Sequence, residues 1–229
     1  MVIRAVLLDV DGTLVDSNDA HAWAWVRAFA EHGIDVPFEG VRRLIGMGGD
    51  KLMPRVSRLS EDSDEGREVA ERRRELFKQD YLPQLRPFRG AAELVEALKA
   101  RGFTTVAASS AKKDELKRLL ALARVHTLLD AQTSSDDAEE SKPDPDIIAA
   151  ALRQAGVAPG EAILIGDTPY DIEAARRAGV ATIAFRCGGW NDHELTGAAA
   201  VFDGPWDLLA QLDEAPLVGR PHVSAKGES

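Results

Sequence analysis

The sequence predicts an α/β fold, a parallel-sheet core with a helical cap domain inserted after the first strand. Two observations carry that prediction. From residue 87 onward, short apolar runs alternate with segments of helical period, the signature of βαβ units and a parallel sheet. Between the first apolar run and the second, residues 17–86 contain helical segments and no convincing strand. The expected boundaries are a core of residues 1–16 and 87–212, a cap of 17–86 and a flexible tail of 213–229.

Each element has a local reason. "VIRAVLLDV" is short and rich in apolar and β-branched residues, as a buried strand is. From "SNDAHAWAWVRAFAEHG" the period becomes helical, with Ser17 or Asn18 placed to cap and Gly33 to stop it. "FEGVRRLIG" and "DKLMPRVSRL" read as helical, with Pro54 opening a new turn in the second, and "DEGREVAERRRELFKQDYL" reads as one long charged helix. In the core, "AAELVEALKARG" is a helix closed by Gly102, "FTTVAAS" a strand and "AKKDELKRLLALA" a helix. A weaker strand at "LLDAQTS", the helix "DPDIIAAALRQAG", the strand "EAILIGD", the helix "YDIEAARRAGV" and the strand "ATIAF" complete the alternation, and "PWDLLAQL" closes the fold. "EAPLVGRPHVSAKGES" has no periodicity and reads as a frayed tail.

The 229 residues, 45% hydrophobic, suffice for one well-buried domain with a modest insertion. A formal net charge of −10 disfavours nucleic acid and anionic membrane faces as partners, while leaving anionic small molecules accessible through a local cation. Cys187 is the only cysteine, so no intrachain disulfide forms, and its place near a strand end reads as packing. No secretory signal or membrane span is visible, and the expectation is a soluble, cytoplasmic protein.

Four places carry chemistry, each at the end of a strand-like run, where parallel sheets bind ligands. In "LLDVDGT", Asp9 and Asp11 stand two apart, and Gly12 permits a turn that other side chains resist. Two such charges about 4 Å apart repel by roughly 4 kcal/mol at an effective dielectric near 20, which calls for a compensating cation. In "LIGDTPYD", Asp167 and Asp171 can reach the same sheet edge. In "VAASSAKKDE", Ser109 and Ser110 end a strand where a helix begins, an anion-binding arrangement. In "ESKPDPD", Lys142 can serve as a point charge for phosphate, with Pro143 in the first turn of the next helix. Taken singly, the same residues fit a strand-end turn, helix caps and a solvated lysine. Taken together they read as a phosphate site with a divalent ion, and an all-oxygen donor set suits Mg²⁺.

The order "DVDGT", serine, lysine, "GDTPYD" resembles the haloacid dehalogenase-type superfamily, in particular its phosphatase-like branch with a helical cap and a Rossmann-like core. The resemblance covers the chain to about residue 212. It implies that Asp9 is the nucleophile and passes through an aspartyl-phosphate, with Asp11 as general acid and then base. It further implies that Asp9, the Asp11 carbonyl, Asp167 and Asp171 hold Mg²⁺, and that Ser109 and Lys142 grip the phosphoryl oxygens of a small phosphorylated metabolite. Fixed positive charge beside the transferring group is what such chemistry requires, since a carboxylate and a phosphate dianion repel. The glycine-rich loop at Gly46, Gly48 and Gly49 fits either a lid over the phosphate site or a plain helix connector.

Other readings compete. Dehalogenases and phosphonoacetaldehyde hydrolases of the superfamily lack the second acid, so Asp11 argues against both. A phosphoacceptor receiver has no use for residues 17–86. The β-phosphoglucomutases are the closer alternative, because "DSNDAHAWAW" resembles their segment and His21 falls where they carry a functional histidine. Against them, Gly49 stands where their loop carries arginine, and Asp167 and Asp171 are separated where their acids are adjacent. The local reading of His21 is a half-buried helix residue beside Trp23 and Trp25. "CGGWNDHEL" resembles a segment of phosphoglycolate phosphatase-like proteins, and Arg42, Arg43 and "ERRRE" read as a solvated face.

Overall fold

A computed structural model describes residues 2–217. Six parallel strands form one sheet: β1 (Ala5–Leu8), β2 (Thr104–Ala108), β3 (Ala131–Thr133), β4 (Ala162–Gly166), β5 (Ala181–Phe185) and β6 (Ala200–Phe202), in the order β3-β2-β1-β4-β5-β6. β1 shows why the strands are so uniformly apolar. Val6 and Leu8 enter the larger hydrophobic cluster while Ala5 and Leu7 enter the cluster on the opposite face, so both sides of the pleat are covered. β6 is absent from the sequence reading. It spans three residues between Gly197 and Gly204, too few to show a period.

Helices α1 (Asn18–Glu31), α2 (Phe38–Arg42), α3 (Gly49–Val56) and α4 (Asp64–Leu76) stand between β1 and β2 in the chain. They are followed by α5 (Ala91–Ala100), α6 (Lys113–Leu122), α7 (Asp146–Ala155), α8 (Pro169–Arg177) and α9 (Pro205–Ala210). α4 runs on through a π-helical turn at Phe77–Tyr81, which tucks the fully buried Phe77 ring beneath α1. Pro54 lies inside α3 rather than opening a turn. It forgoes a single ladder bond on an exposed face, which an eight-residue helix tolerates near its end. The main hydrophobic cluster passes without a break from the inserted helices, at Phe29, Leu52 and Met53, to the sheet layer at Leu94 and Phe185.

The expected tail divides in two. Ala215 and Leu217 are buried in the main cluster, because each is apolar and follows directly on α9; residues 218–229 lie outside the described residues. Among the described residues no helix is long and apolar enough to cross a membrane.

Register fixes where the chemistry falls. Leu8 pairs with Ala107 on one side and Ile165 on the other, and the Asp9 amide donates to the Ile165 carbonyl at 2.9 Å. The carboxyl ends of β1, β2 and β4 are therefore level, and Asp9, Ser109 and Asp167 emerge at one edge of the sheet.

Candidate active site

Asp9, Asp167 and Asp171 converge at that edge, each offering a carboxylate oxygen within 4.8 Å of the others, and all three are buried. Asp171 is placed by the capping box of α8. Thr168 Oγ1 accepts from the Asp171 amide at 3.2 Å, and the Asp171 carboxylate accepts from Thr168 Oγ1 at 2.6 Å and from its amide at 3.0 Å. The capping reading and the cluster reading of Asp171 thus hold together, since Oδ2 caps while Oδ1 accepts from Lys142 Nζ.

Lys142 joins the acids, as its reading as a point charge at this edge expects, and is not solvated: it is 1% exposed, with Nζ donating to Asp9 Oδ1 at 2.6 Å, Asp171 Oδ1 at 2.7 Å and the Ala108 carbonyl at 3.2 Å. Pro143 precedes α7 rather than joining its first turn, because α7 begins at Asp146 with Pro145 as its cap. Ser109 is buried but caps no helix. Its Oγ accepts from the Ala111 amide at 3.1 Å, and α6 starts four residues on.

The electrostatics follow from burial. Burial pushes Asp9 up to about 7, with the Lys142 ammonium partly offsetting the rise. Asp167 is driven well above the usual carboxylate range by burial and then by Asp171 and Asp9. Burial alone would lower Lys142, but Asp171 and Asp9 raise it on balance, so it stays charged. Burial pushes the Cys187 thiol up, which keeps it protonated.

Among the described residues the Asp167 carboxylate accepts from neutral donors only, Thr13 Oγ1 at 2.9 Å and Asn18 Nδ2 at 2.8 Å. A fully buried carboxylate without a cation, beside two more acids, is a site short of positive charge. Glycines make room there: a Cβ on Gly12 would stand 2.3 Å from Asp167 Oδ2, and one on Gly188 1.9 Å. The buried Asn18 Oδ1 has no hydrogen-bond partner among the described residues. The hard oxygen donors, the cradle and the charge deficit all fit Mg²⁺.

Asp11 is built differently. Its Oδ1 accepts from Ser17 Oγ at 2.6 Å and from His21 Nε2 at 2.7 Å. Arg73 donates to His21 Nδ1, and because arginine only donates, Nδ1 is the bare nitrogen and Nε2 carries the proton given to Asp11. Burial raises the Asp11 carboxyl, but His21, Ser17 and Arg73 outweigh it and hold the pKa below the usual value. His21 is therefore not a half-buried neighbour of Trp23. It is buried, stacked on Phe77 at 4.0 Å between centroids, and directed at Asp11.

Arg42 and Arg73 depart from the solvated-face reading, while Arg43 keeps to it, exposed and paired at the surface. Arg42 donates to the Gly188 carbonyl at 2.6 Å and to Asp19 at 2.6 Å, Arg43 to Glu194 at 2.8 Å, and Arg73 to Glu115 on α6 at 3.3 Å. Together with Ser141 Oγ donating to Asp50 at 2.6 Å, these contacts hold the inserted helices over the acids. Between them lies a cleft of about 380 Å³, with Asp9, Asp11 and His21 in its lining and residues 46–49 along one wall. Gly46, at φ +109°, lies against Thr168, where a Cβ would approach to 2.7 Å.

Thr13 and Glu115 carry no signal in the sequence, and Ser17, Asn18 and Arg73 are legible only as caps and as part of a charged run. Neither Ser17 nor Asn18 caps its helix: Ser17 turns back to Asp11, six residues before it, and Asn18 reaches across the fold to Asp167.

A family model described as haloacid dehalogenase-like hydrolase matches residues 6–185. A phosphoglycolate phosphatase of Aquifex aeolicus is 31% identical over 185 residues, 79% of this chain and 83% of that one. Among solved structures, a hydrolase from Pseudomonas syringae superposes with a TM-score of 0.86 at 30% identity, covering 93% of this chain and 98% of the other. A putative β-phosphoglucomutase from Bacteroides vulgatus gives 0.83 at 26%, covering 93% and 88%.

Proposed function

The chain belongs to the haloacid dehalogenase-like hydrolases, in the capped phosphatase branch, and from that premise we propose that it is a Mg²⁺-dependent phosphatase of small phosphomonoesters working through a phosphorylated Asp9. The observation that carries the reading is the buried Asp9–Lys142–Asp171 arrangement beside an acid, Asp11, with separate partners. A lone carboxylate pair would share a proton; here one acid is clamped by a cation and the other by a histidine.

Asp9 attacks phosphorus and the ester oxygen leaves. Lys142 lies against the nucleophile, where its charge reduces repulsion between carboxylate and phosphate. Asp11 is a carboxylate in the free protein, the form needed to take a proton from water in the second step. A dianion brought beside it raises its proton affinity, the direction needed to protonate the leaving oxygen in the first. Asp9, Asp167 and Asp171 would hold Mg²⁺, which supplies charge neutralisation for the transferring group when bound. Ser109 would orient a phosphoryl oxygen, and helices α1–α4 would act as the cap that excludes water during transfer.

The likeness to a putative β-phosphoglucomutase keeps a mutase in view, and Gly49 speaks against it, since an arginine there would hold a second phosphate. The test is phosphate release from a panel of small phosphomonoesters, with Mg²⁺ and with excess chelator. Release that stops with chelator and in Asp9→Asn is the expected result. Interconversion of sugar phosphates without net release would replace the hydrolase by the mutase.

A further inference from the structure

The cleft changes character away from the catalytic pair. Beyond Asp9 and Asp11 its lining carries five carboxylates, Asp50, Glu61, Glu115, Glu139 and Glu140, against three cations, Arg73, Arg74 and Lys112. All three cations are engaged: Arg73 with Glu115 and His21, Arg74 with Glu71 at 3.1 Å, and Lys112 with Asp136 at 3.0 Å. Glu61, in contrast, is half-buried and has no hydrogen bond or ion pair among the described residues. Burial and then the nearby Asp50 raise its pKa, with Arg74 and Lys112 partly offsetting the rise from a distance. Two further groups in the lining, the buried hydroxyl oxygens of Ser110 and Ser135, have no hydrogen-bond partner among the described residues. Gly49 permits this wall, because a Cβ there would stand 2.9 Å from the Trp25 ring and 3.3 Å from Glu61 Oε2.

Resting on the hydrolase reading above, we propose that Glu61 is a specificity-determining residue. It accepts hydrogen bonds from the hydroxyl or ammonium groups of a polyhydroxylated leaving group and excludes leaving groups that carry a second anion. A cleft that presents a free carboxylate and two free hydroxyls, with its cations occupied, rewards hydrogen-bond donors. It also leaves a second carboxylate or phosphate without a countercharge, and specificity of this kind comes as much from repulsion as from attraction. Phosphoglycolate would set its own carboxylate in this acid-rich lining, so the proposal predicts that it is a poor substrate despite the likeness to a phosphoglycolate phosphatase. An ammonium gains more than a hydroxyl, because a charge-assisted hydrogen bond to carboxylate is about twice as strong as a neutral one.

The test compares kcat/KM for glucosamine 6-phosphate, glucose 6-phosphate, 2-phosphoglycolate and fructose 1,6-bisphosphate in the native protein, Glu61→Gln and Glu61→Lys. The native protein is expected to favour glucosamine 6-phosphate over phosphoglycolate by about tenfold or more, the effect of one charged contact. Glu61→Gln should narrow that ratio, and Glu61→Lys should invert it. A native preference for phosphoglycolate or the bisphosphate overturns the inference, as do Glu61 variants that move every substrate alike. Release from p-nitrophenyl phosphate by the native protein separates the two claims, since it reports the hydrolase without the wall. Dissociation constants of the same four compounds with Asp9→Asn protein decide the matter without turnover. Tighter glucosamine 6-phosphate binding that weakens when Glu61→Gln is added supports the proposal, and equal binding of all four contradicts it.

Discussion

Two acids two residues apart, Asp9 and Asp11, live in different worlds. Asp9 is 6% exposed, held by core residues alone, and raised to about 7 by burial despite Lys142. Asp11 is more open, held by Ser17 and by His21 of α1, itself contacted by Arg73 of α4, and lies below the usual value. The core builds one carboxylate into a fixed charge cluster, while the inserted helices tune the other. Separate supports push two equal side chains apart in proton affinity, and in the proposed reaction that separation would let one attack and the other exchange a proton.

Breaking the first side of the comparison should cost most. Asp9→Asn removes the proposed nucleophile and should lower phosphate release by about a thousandfold or more, measured as kcat under saturating Mg²⁺. Lys142→Met leaves Asp9 and Asp171 buried and uncompensated. Such losses cost about 3–5 kcal/mol, so chemical denaturation should show a destabilised protein and assays a loss of about a hundredfold. Gly12→Ala sharpens the point without removing a charge. Its φ of +76° and the 2.2 Å approach to Asn18 Nδ2 predict a loss of about 1–3 kcal/mol in denaturation, together with weaker Mg²⁺ binding by calorimetry.

Acidity offers a subtler test. Asp9 rises from 3.8 to about 7 on folding, so between those values the native state binds more protons than the unfolded one. Without metal, stability should fall as pH rises through that window, and Asp167 shifts the same way. Asp11 has the opposite sign: its contribution is present above 3.8 and is lost as pH falls through its lowered value. Thermal melts across this range should show a declining Tm without Mg²⁺ and a flattened profile with it. Smallest of all, His21→Gln keeps a donor near Asp11, and it should shift the acid limb of the pH–rate profile upward while lowering kcat less than tenfold.

Strand-end acids and the alternation of elements were legible because both are local. "LLDVDGT" and "LIGDTPYD" each end a buried run, and the register that levels β1 with β4 follows from a parallel sheet. Asp171 could be read either as cap or as site, and it is both. What sequence did not disclose depends on distant partners. Lys142 could be placed at the sheet edge, but its two carboxylate partners appear only once the fold seals it, and Arg73 looks like one charge among many until α4 packs on α1. Asn18 resembles a cap, yet its amide turns to Asp167, 149 residues away. β6 was too short to carry a pattern of its own.

The central claim is that Asp9 carries the phosphoryl group. The direct measurement is acid quenching of the protein during turnover of a radiolabelled phosphomonoester, followed by peptide mapping. Hydroxylamine-labile label is expected on the peptide containing Asp9 and none in Asp9→Asn, with more in Asp11→Asn when the ester is a phenyl phosphate whose leaving group needs no proton, since water is then not activated. Label on another residue, or Asp9→Asn protein that still hydrolyses the ester at the native rate, would contradict it.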